Sequence, residues 1–130
     1  MRLSASVLPA AAVVLLTVPV SAHHSFVSFW HMDKTVTITG VVKAVRLVNP
    51  HANMVVEVTD ASGQKSDWSI VSRGSVSTLR NNGWKEDTVP VGMRVTIEGN
   101  PSRNEGAKGL VAGKITRPDG SVVSFGATPE

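Results

Sequence analysis

Val36-Thr37-Ile38-Thr39-Gly40-Val41-Val42-Lys43-Ala44-Val45 decides the fold. The run is β-branched almost throughout, and alternation places Val36, Ile38 and Val42 on one face of a strand spanning residues 36–46. A glycine at its centre predicts a bulge or a sharp bend, which a tightly coiled small barrel requires of its first strand.

Toward the C-terminus, Val48-Asn49-Pro50-His51-Ala52 reads as a turn, because Asn-Pro favours turn initiation. A second strand is expected over Met54 to Thr59. Asp60-Ala61-Ser62-Gly63 then closes a hairpin onto a third, Gln64 to Val71. Between Ser72 and Asn82 the pattern becomes helical, with Val76 and Leu79 three apart. Ser72 or Ser75 would be the N-cap and Gly83 the stop. Trp84 is expected to plug the core rather than form a ligand platform.

A fourth strand follows over Met93 to Gly99, with Val95 and Ile97 inward and Arg94, Thr96 and Glu98 outward. After a polar loop, Leu110 to Thr116 is the fifth. Pro118-Asp119-Gly120 then turns into a short last run, Val122 to Phe125. Three strands, one short helix, then two strands is the element order of an OB-fold-like Greek-key barrel. The predicted fold class is therefore all-β with one short helix, the barrel domain occupying residues 36–126.

Upstream, residues 1–22 read as an export signal. Arg2 is basic, Val7 to Val20 is nearly all apolar, and Val20-Ser21-Ala22 offers small residues at a cleavage point. The apolar run is too short to span a membrane, which takes about 20 residues. Cleavage after Ala22 predicts a periplasmic or secreted protein with no membrane attachment, whose mature chain starts His23-His24. Residues 23–35 form an arm anchored by Phe26, Val27, Phe29 and Trp30, with a turn at Met32-Asp33-Lys34.

Chemistry is sparse. The chain has no Cys and no Tyr, so disulfides, thiolate metal sites and a Cys or Tyr nucleophile are excluded. Asp33, Glu57, Asp60, Asp67, Glu86, Asp87, Glu98, Glu105 and Asp119 fall in turns or on outward strand faces. An acid/base pair is not expected, nor is an enzyme. The formal net charge of +3 comes from scattered basic residues without interleaved aromatics, which argues against nucleic acid.

The four histidines are different. His23, His24, His31 and His51 all fall within residues 23–51, and none follows. A free N-terminal histidine offers its amine and its ring to one metal, and imidazole suits copper, zinc, iron or nickel. A second histidine would complete a three-nitrogen brace that favours copper over zinc.

Reach selects that partner. The first strand is about 35 Å long, and His51 lies past its far end. An arm folded back along it, extending about 36 Å, would bring His23 and His24 to His51. It would leave His31 at the opposite end as a surface residue. Met32, Met54 and Met93 are candidate soft ligands, although Met54 and Met93 sit at strand positions that suit the core.

The residues expected to bind metal are therefore His23, His51 and, as an auxiliary, His24. The partner is a metal ion, with another periplasmic protein as a recipient in delivery. The alternative is a non-metal OB-fold binding module for a small polar ligand or a partner protein.

Ala22-His23-His24-Ser25-Phe26, Asn49-Pro50-His51, Trp68-Ser69-Ile70, Gly83-Trp84 and Pro118-Asp119-Gly120 resemble an uncharacterised family of small exported bacterial proteins. The resemblance covers essentially the whole mature chain. It implies that the His-His start and the Asn-Pro-His turn occur together, and it implies no activity. Family members often carry an aromatic just after Asn-Pro-His, where this chain has Asn53-Met54.

Overall fold

The computed structural model describes residues 26–126. The expected export signal, residues 1–22, and the arm's first three residues, His23, His24 and Ser25, lie outside them. β1 (Val36–Arg46) is the shared wall of the fold. Its first half pairs antiparallel with β4 (Arg94–Pro101) and its second half with β2 (His51–Thr59). β3 (Lys65–Ser75) continues from β2. β5 (Gly109–Thr116) pairs antiparallel with β4 and parallel with β3, where Ser69–Ser72 meets Gly109–Ala112.

That parallel seam closes a five-stranded OB-like barrel. Outside the ring, β6 (Val122–Ser124) extends the end of β5. Two short helices are present among the described residues, one more than expected: α1 (Phe26–Phe29) in the arm and α2 (Val76–Asn81) between β3 and β4.

β1 serves two neighbours because it bends, but the irregularity is not at Gly40. Register passes from Val42 opposite Val56 to Ala44 opposite Val55, so Lys43 is the extra residue. Gly40 meets a different demand. A Cβ there would overlap the Glu57 carbonyl oxygen and stand 2.7 Å from Val56 Cγ1. Glycine is what lets β2 cross β1 at this distance.

The inward residues make one core. Ile38, Val42, Met54, Val56, Ile70, Val95, Ile97, Leu110 and Ile115 come from the barrel strands. Leu79 of α2, Trp84 and Phe125 join the same core. Trp84 and Phe125 pack ring against ring at 5.0 Å, and the indole N–H donates to the Ser124 carbonyl at 2.5 Å. Trp84 is thus buried as a plug, with its one polar atom satisfied. In a chain without cysteine, this packing carries the stability.

Several boundaries move. β2 begins at His51 instead of Met54, so the expected turn residues His51 and Ala52 are already in the sheet. β3 runs on through Ser75, and the helix starts only at Val76. Ser75 is the N-cap: its Oγ accepts the Thr78 N–H at 3.1 Å, while Gly83 beyond the helix adopts φ +88°. Ser72, the other candidate cap, is buried in β3 and donates to the Gly74 carbonyl at 2.6 Å. Ser75→Ala should therefore cost about 1 kcal/mol in urea denaturation, with the native circular dichroism unchanged.

The arm is not an extended return along β1. It takes one helical turn, bridges Ser102 through Trp30, and crosses the end of β4. The His31 N–H donates to the Pro101 carbonyl at 2.9 Å. The buried Asn100 amide donates to the Lys34 carbonyl at 2.6 Å, and Arg103 Nε to the Val27 carbonyl at 2.7 Å. These hydrogen bonds seat the arm on β4 and the loop after it rather than on β1.

Candidate functional site

His51 opens β2 immediately after the cis Asn49–Pro50 peptide. Its surroundings come from an irregularity in the facing strand. His51 pairs with Ser75 and Asn53 with Val71, so Ala52 alone stands opposite Ser72, Arg73 and Gly74. The excess chain bulges, and the Gly74 carbonyl lies 3.3 Å from His51 Nδ1. A carbonyl only accepts, so Nδ1 carries the proton, and in the neutral ring Nε2 keeps its lone pair. Metal-binding histidines are commonly oriented by this kind of hydrogen bond from the other ring nitrogen.

An aromatic ring completes the setting. Phe26 meets His51 edge to face, with centroids 5.3 Å apart and planes at 67°. The arm thus supplies an aromatic ring at His51. Met54 points fully into the core, and Met93 is half-buried against it, so neither reaches His51 as a soft ligand. His31 belongs to the turn before β1, half-buried and 3.8 Å from Asp33, rather than to the open surface.

Among the described residues no three His, Cys, Asp or Glu side chains converge. His51 is the predicted ligand that the structure describes, and its Nε2 is the atom with coordinating capacity. His23 and His24 fall outside the described residues. Sequence reasoning missed the Ser72–Gly74 bulge that orients His51. The signal was a polar Ser-Arg-Gly-Ser run between Val71 and Val76, which reads equally well as a helix approach.

The shifted carboxylates lie elsewhere. Glu57 is held below its usual range by hydrogen bonds from Lys65 and then Lys43. Asp60 is lowered by the Ser62 hydroxyl and the Gln64 N–H, and Asp119 by the Ser121 hydroxyl and N–H. A depressed folded pKa contributes stability that is present above the unfolded value, here 4.5 for Glu and 3.8 for Asp, and lost as pH falls through the folded value. Thermal stability should thus owe nothing to these three groups' titration between pH 7 and about 5. Their share should fade only below about 4.5. A melting series across that range checks it.

No curated protein matches the chain. The model of a family of unknown function, DUF6152, matches residues 11–112, and the chain belongs to that family.

Proposed function

We propose that the protein is an exported copper-binding protein, acting in metal binding or delivery. The His23 amine and ring and His51 Nε2 form the brace, and His24 assists. One observation carries the reading: the Phe26 ring lies against His51. Phe26 is three residues from His23 and two from His24. At most about 3.6 Å per residue, no conformation takes the His23 Cα further than about 11 Å from the Phe26 Cα.

Phe26 reaches His51 by a different path from the extended return expected of the arm. The Gly74 carbonyl on Nδ1 leaves Nε2 free to coordinate. An N-terminal amine, with a pKa near about 7.7–8, loses its proton readily to a metal. Two imidazoles and an amine make a nitrogen set that suits Cu(II).

The test begins with the chain expressed with its own N-terminal segment and the mature terminus identified by mass. Cu(II) is then titrated by calorimetry and EPR. Expected are one site per chain, an EPR spectrum of nitrogen coordination, and weaker binding by His51→Ala. Equal binding by parent and His51→Ala would sink the brace. Micromolar or weaker copper binding by the parent would favour the plain barrel module. Acid should strip the metal between pH 7 and about 5 as amine and rings protonate, within the window where the fold itself keeps its carboxylate contributions.

A further inference from the structure

The same bulge that turns Gly74 toward His51 sends Arg73 into a separate cavity of about 490 Å³. Its volume falls in the range of about 300–1,000 Å³ typical of small-molecule sites. The cavity gathers parts from distant places: Arg73 from β3, Glu98 and Asn100 from β4, Lys114 from β5 and Met32 from the arm.

Arg73 is the anomaly. One guanidinium nitrogen donates to Asn100 Oδ1, and its backbone N–H to the Phe125 carbonyl at 2.9 Å. Nε is buried without a hydrogen-bond partner among the described residues. No carboxylate among them lies within 4.0 Å of the group. Asn100 cannot neutralise it. It supplies one neutral acceptor, while its own amide is committed to the arm's Lys34 carbonyl.

The other charges lining the cavity cancel, because Lys114 Nζ and Glu98 Oε2 pair at 2.6 Å. A half-buried guanidinium without an anion among the described residues is costly, and a planar fork of donors matches a carboxylate. Met32 and Val122 supply apolar wall beside it. Gly113 borders the guanidinium, where a Cβ would stand in van der Waals contact at 3.8 Å from Arg73 Cζ and Nη1 and a longer side chain would cover it.

We propose that this cavity binds a small organic anion, a carboxylate with a short apolar tail. The carboxylate sits on Arg73 and the tail against Met32 and Val122. The site is independent of copper at His51.

The test titrates the mature chain with acetate, butanoate and hexanoate, with 1-hexanol and inorganic phosphate in parallel, by calorimetry and backbone amide NMR. Expected is saturable millimolar or tighter binding that strengthens from acetate to hexanoate, with amide shifts at Gly99 and Gly113. Hexanol should bind at least about tenfold more weakly. Arg73→Met removes the charge and keeps the stem. Gly113→Val leaves the charge and covers it. Each should weaken hexanoate at least about tenfold, and Gly113→Val carries the test if Arg73→Met fails to fold. No saturable response to hexanoate would overturn the proposal. So would equal binding of hexanoate and hexanol, tighter binding of phosphate, or an unchanged affinity in folded Gly113→Val.

Discussion

Gly40→Ala is expected to destabilise the barrel by about 3 kcal/mol or more, the upper end of the cost of overpacking a core. The added carbon overlaps the Glu57 carbonyl oxygen and crowds Val56 at 2.7 Å. A flexible side chain could swing aside. A carbonyl in the middle of β2 cannot, because the strand is held on its far side by β3, with Val56 opposite Trp68 and Glu57 opposite Asp67. Relief would require β2 to move off β1 where Val41 and Val42 pair with Glu57 and Val56.

Against a total stability of about 5–15 kcal/mol, such a loss shifts a urea midpoint far. Gly63→Ala is the useful contrast. Gly63 has φ +84° in the hairpin turn with nothing near its missing Cβ, so only backbone strain of about 1–2 kcal/mol is at issue. Equal effects of the two substitutions would mean that β2 does not cross β1 so closely.

The second large effect is on copper. One additional residue before His23 should lower Cu(II) affinity by more than the roughly 10- to 100-fold that follows loss of an outer hydrogen bond to a metal ligand. The extension leaves all four imidazoles in place. On the proposed brace, what it removes is the amine and ring of one residue acting together on the same ion, so the loss would isolate that chelate. His51→Ala tests the other arm of the brace and should cost a comparable amount. If the extended chain keeps parental affinity while His51→Ala does not, the metal is held by rings alone and the brace fails. Calorimetry gives the affinities, and the EPR hyperfine pattern reports the number of coordinated nitrogens.

Much of the fold was legible because the barrel obeys period-two burial. Val36, Ile38 and Val42, then Val95 and Ile97, alternate inward as their spacing indicates. Trp84 and the Gly83 stop were equally readable, since one is a large apolar residue beyond a short helix and the other adopts a conformation glycine favours. The arm was harder. Its path is fixed by Asn100 and Arg103 donating to carbonyls of Lys34 and Val27, contacts that span 66 and 76 residues and leave no local pattern.

The bulge at Ser72–Gly74 was invisible for a related reason. Three residues opposite one is a property of two strands together, and neither strand's sequence states it. Arg73 consequently looked like one more scattered surface cation, although its guanidinium lines a cavity. His51 could be singled out by residue type, but its orientation came only with the Gly74 carbonyl and the Phe26 ring.

The closed ring also has a consequence in time. Hairpins β1-β2-β3 and β4-β5 can zip from short local connections, but the seams that join them pair residues far apart, such as Val41 with Arg94 and Ser69 with Gly109. Long-range pairing of this kind makes for slow folding, and a contact that draws on both hairpins is complete only once the ring has closed. The Arg73 cavity is such a contact, drawing Arg73 from the first half and Glu98, Asn100 and Lys114 from the second. An anion held there would act as a clasp on the finished ring, slowing its opening while leaving the rate of closure unchanged.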